Sequence, residues 1–129
     1  MAEEKTAVVT GSSSGIGFET SLLLAKNGFR TYATVRNPDK ANALRDISDK
    51  HELQITVVQL DVDSDKSVSG AIDKITKESK RIDVLVNNAG YGQGGALEEI
   101  SMDEIKAQFE INLFGAIRVM KAVLPIMRK

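Results

Sequence analysis

The sequence predicts an α/β fold of the doubly wound class, one parallel sheet with helices on both faces. Three observations predict it. Strand and helix patterns alternate along the chain with short punctuation and no linker rich in Pro, Gly or Ser. A glycine-rich run, Thr10-Gly11-Ser12-Ser13-Ser14-Gly15-Ile16-Gly17, stands between the first strand pattern and the first helix pattern. A second run, Asn87-Asn88-Ala89-Gly90, closes the fourth strand pattern.

The first strand is Thr6 to Val9, β-branched at Thr6, Val8 and Val9, as a buried strand of a parallel sheet would be. The first helix follows the glycines to Lys26, with Ile16, Leu23 and Leu24 on one side, Phe18, Leu22 and Ala25 on another, and Gly28 placed for a left-handed C-cap. Strand two is Thr31 to Val35. Asn37-Pro38 then reads as an N-cap with proline at the first helical position, opening a helix to about Lys50. Strand three is Ile55 to Leu60, and Ser64 to Ser79 carries Val68, Ile72 and Ile75 at helical spacing. Strand four is Ile82 to Val86. Last comes a long helix opened by Ser101 and Glu104 as a capping box. Its apolar stripe runs through Ile105, Phe109, Leu113, Ile117, Met120 and Leu124, broadened by Ile111 and Phe114, wide enough for more than one packing surface. Pro125 costs about 3 kcal/mol in a helix interior, so the helix is expected to end near it.

Composition narrows the function classes. The 129 residues make one domain, 1–129, with 42% hydrophobic residues and no low-complexity stretch. Seventeen basic and eighteen acidic residues leave a formal net charge of -1, scattered along the chain, which argues against a charge-driven nucleic-acid or membrane-surface protein. Cysteine is absent, so thiolate chemistry and a disulfide framework are excluded. The charged start Met1 to Lys5 is not a signal peptide, and no apolar run approaches transmembrane length. A cytoplasmic protein with small molecules or like subunits as partners is expected. The one histidine, His51, sits at a charged helix end without a nucleophile or ligand cluster, and no metal site is expected.

The glycine run reads as a pyrophosphate cradle. Gly11 permits a tight turn, Gly15 lets backbone N–H groups approach a phosphate, and Gly17 lets the helix pack close to the sheet. The helix N-terminus then faces the anion. No lysine follows the glycines, which makes a mononucleotide P-loop a poor reading. A plain serine-rich turn is the alternative. What stands is Thr-Gly-x-x-x-Gly-x-Gly, and together with Asn87-Asn88-Ala89-Gly90 it resembles the short-chain dehydrogenase/reductase family over nearly the whole chain. The resemblance implies a Rossmann-type sheet in the order 3-2-1-4 and a nicotinamide dinucleotide as partner.

Arg36 is the second informative position. An acid ending the second strand binds the adenosine ribose hydroxyls, whereas Arg36 could hold a 2′-phosphate through charge-assisted hydrogen bonds. NADP(H) is therefore expected in preference to NAD(H); a solvated surface arginine is the alternative. Ser12 and Ser13 are further candidate donors, and Ser14, Gly15 and Ile16 complete the cradle. The resemblance places Asp61 and Val62 beside the adenine ring, although Asp61 also reads as a helix-initiating acid with Asp63 and Ser64 as cap candidates. It places Asn88, Ala89 and Gly90 along the cofactor, where they also steady the sheet, and Tyr91 to Gly95 as a loop at the mouth. Asn112 lies on the apolar stripe and must be hydrogen-bonded if buried. The family uses an asparagine there to hold a water and a catalytic lysine; a core amide satisfied by backbone is the alternative.

Family chemistry is hydride transfer between the nicotinamide and a carbonyl or alcohol, with a serine polarising the oxygen and a Tyr-x-x-x-Lys pair moving the proton. Tyr32 and Tyr91 are followed four places on by Arg36 and Gly95, so neither supplies that pair. The family continues to about 250 residues. The chain is thus expected to be the cofactor half of a longer enzyme, truncated after the fourth strand and its helix, inactive alone and unable to take substrate. A stand-alone NADP(H)-binding module, acting as sensor or in assembly, and a structural relic are the other readings. Strand four as a sheet edge and the broad stripe of the last helix predict self-association, a homo-oligomer.

Overall fold

The computed structural model describes residues 3–129; Met1 and Ala2, the start of the charged Met1 to Lys5 segment, lie outside the described residues. Four parallel strands, β1 (Thr6–Val9), β2 (Arg30–Val35), β3 (Ile55–Gln59) and β4 (Val84–Val86), form one sheet in the order β3-β2-β1-β4. The register pairs Val8 with Tyr32 on one side and with Leu85 on the other. Because successive side chains on a strand point to opposite faces, Tyr32 and Val58 enter one core, while Ala33 and Val57 enter another.

Helices α1 (Gly15–Lys26) and α2 (Asn42–Lys50) cover one face, where Leu22 and Leu44 pack on Ala33. Helices α3 (Asp65–Ser79) and α5 (Ala116–Met127) cover the other. Val68, Ile72 and Ile75 of α3 and Val119 and Val123 of α5 close over Val8, Tyr32 and Val58. On α1 the buried residues are Gly17, Ser21, Leu22 and Ala25, whereas Ile16 and Leu23 face solvent. Gly28, at φ +89°, ends that helix: its N–H donates to Ala25 O and that of Phe29 to Leu24 O, a Schellman closure.

Three local expectations are corrected. Asn37 does accept at its side chain from the Asp39 N–H at 3.1 Å, but the turn it caps, Pro38–Ala41, is 3₁₀, and the α-helix starts only at Asn42. The long last helix is three segments: α4 (Met102–Phe109), a π-helical stretch Glu110–Gly115, and α5. It ends at Met127, two residues past Pro125 and so near the proline as expected. With Pro125 in the final turn, only one backbone bond is forfeited, and the Arg128 N–H still reaches Leu124 O at 3.1 Å. The predicted stripe is not the core face. Phe109, Leu113, Phe114, Ile117, Met120 and Leu124 are all exposed, while Gly115, Val119 and Val123 are buried. Among the described residues no helix is long and apolar enough to cross a membrane.

Candidate cofactor site

The chain runs from β1 to β2 and β3 on one side of the sheet, then crosses to β4 on the other, so the carboxyl ends of β1 and β4 flank a topological switch point where ligands of open α/β sheets bind. A cleft of about 310 Å³ opens there. Every strand contributes to its wall: Gly11 and Ser13 follow β1, Val35 and Arg36 end β2, Leu60, Asp61 and Val62 follow β3, and Ala89, Gly90 and Tyr91 follow β4. Ile111 completes it from the π-helical stretch.

The loop after β1 is built on its glycines. Gly11 sits at φ +66°, and a Cβ there would come within 2.9 Å of Ala89 Cα. Gly17 is tighter, because its Cβ would lie 2.1 Å from Gly11 O and 2.5 Å from Asn88 Nδ2. Gly15, at φ +61°, has open space around the same position. Ser14 stands at the N-cap in extended backbone but its side chain makes no cap bond. The N–H groups of Gly15, Ile16 and Gly17 therefore open the helix with no intrahelical acceptor, as an anion site requires. Ser12 departs from its predicted role. It is fully buried, its N–H donates to Thr34 O at 3.0 Å and its hydroxyl to Val9 O at 2.9 Å, so it steadies the turn and has no donor left for a ligand.

A buried threonine that sequence reasoning passed over holds the loop to its neighbour. Thr10 Oγ1 accepts from the N–H groups of Asn88 and Ala89, each at 2.9 Å, while Asn88 Nδ2 donates back to Thr10 O and Gly11 O at 3.2 and 3.1 Å. The signal available was a hydroxyl at the end of a fully buried strand, which must find partners. Asn87 reaches the other way and donates to Ala116 O at 2.9 Å.

Arg36 is exposed at the cleft, its carbonyl accepting from Gln59 Nε2 at 3.3 Å. Asp61 is not the helix cap. Ser64 accepts from the Ser67 N–H at 3.1 Å in that role, and the carboxylate of Asp61 instead accepts from the Asp63 N–H at 3.0 Å within its own turn. Val62 is buried beneath α5, where Gly115 admits it: a Cβ on that glycine would meet Val62 Cγ2 at 2.8 Å.

Asn112 is exposed here, not buried, and is bonded to backbone. Its Oδ1 accepts from the Tyr91 N–H at 2.9 Å and its Nδ2 donates to Tyr91 O at 2.6 Å. Gly90 leaves the room, since a Cβ there would approach Asn112 Oδ1 to 2.7 Å. The π-helical stretch carries Asn112, as π segments commonly mark functional positions. Tyr91 to Gly95 is exposed throughout. Below the cleft, the Arg118 guanidinium donates to Asp65, Glu110 and the Val62 carbonyl, and the Glu110 and Asp65 carboxylates raise its pKa above the usual arginine value.

The chain matches the short chain dehydrogenase family model over residues 5–129. It is 41% identical over 128 residues to the oxidoreductase YusZ of Bacillus subtilis, covering 98% of this chain and 45% of that protein. Retinol dehydrogenase 8 of Homo sapiens is 42% identical over 132 residues, covering 99% and 42%. The chain thus spans less than half the length of these curated relatives. Among solved structures, actinorhodin polyketide ketoreductase with NADPH superposes with a TM-score of 0.91 at 31% identity, over 98% of this chain and 49% of that one. A metagenomic short-chain oxidoreductase in complex with NADP gives 0.88 at 30%, over 95% and 56%.

Proposed function

From a chain that belongs to the short-chain dehydrogenase family, we infer that this protein binds NADP(H), in preference to NAD(H), for an oxidoreductase acting on a carbonyl or alcohol. The observation that carries the cofactor reading is Arg36 at the cleft rim, at the end of β2, where an acid would repel a 2′-phosphate. Two of the similar structures are complexes with NADPH and NADP, which supports it.

The residues fit such a dinucleotide. The uncapped first turn of α1 and the open side of Gly15 offer backbone donors to a pyrophosphate. Arg36 supplies a planar pair of donors for the 2′-phosphate. Asp61 and Val62 form the wall for the adenine. Ala89, Gly90 and Tyr91 border the run toward the nicotinamide, with Asn112 fixing the Tyr91 peptide. When bound, the nicotinamide supplies or accepts the hydride. The chain contains no Tyr-x-x-x-Lys pair to move a proton, so these 129 residues bind cofactor without turning substrate over.

Fluorescence titration with NADPH and NADH tests the reading. NADPH should bind about 10-fold tighter or more, the worth of hydrogen bonds to a charged group, and Arg36→Leu should bring the two to parity. Equal affinities in the unaltered protein would remove the NADP(H) preference. Binding of neither would remove the cofactor site itself.

A further inference from the structure

We propose that Arg118 is the positioning residue for the adenine end of the cleft, acting through the peptide unit that joins Val62 to Asp63. The inference rests on the cofactor reading above.

Arg118 lies on α5, outside the cleft wall, and spends its guanidinium on three partners: Nε on Asp65 Oδ1, Nη2 on Glu110 Oε1 and Nη1 on the Val62 carbonyl. Its side chain is 20% exposed, whereas Asp65 is 90% exposed and Glu110 41%. Ion pairs with such open carboxylates contribute little stability by themselves. What they do is orient the guanidinium, so that its third donor is held on a carbonyl belonging to the turn that lines the cleft.

That carbonyl and the Asp63 N–H are two ends of one planar peptide unit, so fixing one fixes the other. Arg118 holds the carbonyl end, and Asp61 Oδ1 accepts from the N–H end at 3.0 Å. Arg118 thereby holds in place the N–H that anchors one oxygen of the Asp61 carboxylate. Oδ2 is left without a hydrogen-bond partner among the described residues, on a side chain that lines the cleft. Val62, a further cleft residue of this turn, is pressed beneath Gly115, the last residue of the π-helical stretch that leads into α5, so side chain and carbonyl are both set from above. If the peptide unit turned over, its N–H would leave Asp61 and the carboxylate would be free to swing. A fixed carboxylate oxygen with spare lone pairs accepts from an exocyclic amine and opposes a carbonyl in the same place. Adenine presents the amine. Hypoxanthine presents the carbonyl.

The experiment compares NADPH with its hypoxanthine analogue, and NADPH with NADH, by titration of the 129-residue chain and of Arg118→Met. The unaltered chain should favour NADPH over the hypoxanthine analogue by about 10-fold, a charge-assisted hydrogen bond's worth. In Arg118→Met that ratio should fall to within about twofold, while the NADPH to NADH ratio, which belongs to Arg36, keeps its value. A merely structural arginine would weaken all three ligands together. An unchanged ratio between the bases in Arg118→Met overturns the proposal, as does an unaltered chain that binds both bases alike. If the unaltered chain binds no dinucleotide, the cofactor reading fails and this inference with it. Should Arg118→Met not melt cooperatively, the double variant Asp65→Asn, Glu110→Gln carries the test, since it frees the guanidinium without deleting it: the base ratio should fall, and a ratio equal to the unaltered chain's overturns the proposal.

Discussion

Asn112 and Tyr91 exchange two hydrogen bonds, side-chain amide to peptide, at 2.9 and 2.6 Å. The pair joins the π-helical stretch of the last helix to the first residue of a glycine-rich loop in which Gly92, Gly94 and Gly95 follow. It is a specific match of one donor and one acceptor on each side.

Replacing that amide tests the match. Asn112→Asp keeps an acceptor for the Tyr91 N–H but sets a second oxygen against Tyr91 O. The variant should be less stable by about 1 kcal/mol near neutral pH, since water reaches this exposed site. Facing a carbonyl raises the pKa of the new carboxyl, so the loss should shrink as pH falls and the group takes up a donor proton. Denaturant unfolding at pH 7 and pH 4 checks it. Equal stability of the two proteins at pH 7 would show that the bond to Tyr91 O does not hold the loop.

Gly17 and Gly15 should part company on mutation to alanine. A methyl on Gly17 would press into Gly11 O, a backbone atom of the cradle that cannot swing aside, and the loop held by Thr10 and Asn88 would have to move. Gly17→Ala should lose cofactor binding and several kcal/mol of stability, as overpacking against backbone does. Gly15→Ala meets nothing and carries only the strain of φ +61°, about 1 kcal/mol. Thermal melts of the two variants decide it; similar losses at both sites would contradict the close approach.

The same contrast shows what the sequence made legible. The strands were readable because each is announced locally, as a β-branched run bounded by turn residues, and so were the turn glycines Gly11, Gly15 and Gly28, whose φ values only glycine adopts easily. The order of the strands in the sheet came from the family resemblance and not from any local pattern. The last helix was not readable in this way. Its π-helical turn takes in more residues per turn than an α-helix and so shifts the phase, and Ile105 and Phe109 before it and Ile117, Met120 and Leu124 after it do not belong to one continuous α-helical face. A helix apolar on most sides also gives periodicity no means of choosing which side meets the sheet, and the side that does carries Val119 and Val123, which share one core with Val68, Ile72 and Ile75 of α3 and Val8 of β1. Ser12 turned inward and Arg118 became a clamp for the same reason. Both depend on partners far away in sequence or on backbone atoms that no residue pattern displays.

Asp83 gives a pH dependence with a definite sign. Arg81 grips its carboxylate through two bonds, at 2.8 and 2.7 Å, and the Thr6 N–H donates to it at 2.8 Å, joining the approach to β4 to the start of β1. The Arg81 guanidinium holds the Asp83 carboxyl below the usual carboxylate range, with the Thr6 N–H helping. A folded-state pKa below the unfolded one means stability that is fully present above the ordinary carboxylate pKa and is lost as pH falls from there through the folded value. Melting temperature should therefore decline in acid, and Asp83→Asn should flatten that decline while lowering the plateau at neutral pH. An acid limb of the same depth in Asp83→Asn would place its origin in another carboxylate.

The exposed apolar residues of the last helix predict association of the 129-residue chain. Two surfaces compete for this: the edge of β4 and the face of α5 carrying Ile117, Met120 and Leu124. The strand is three residues long, Val84–Val86, flanked by Asp83 and Asn87, too short and too polar at its ends to template another strand well. The helix offers more. On α5, Ile117 is 38% exposed, Met120 40% and Leu124 46%, at spacings of three and four residues that lay them along one side. A contiguous apolar strip of this kind is the ordinary signature of an interaction surface, so the chain should show concentration-dependent mass in light scattering at micromolar concentration. The double variant Ile117→Lys, Leu124→Lys, with both positions on the solvent side and away from the cleft, should restore the monomer without lowering the unfolding free energy by more than about 1 kcal/mol. A chain that is already monodisperse and monomeric at that concentration would show the strip to be inert, and association that survives the double variant would point back to β4.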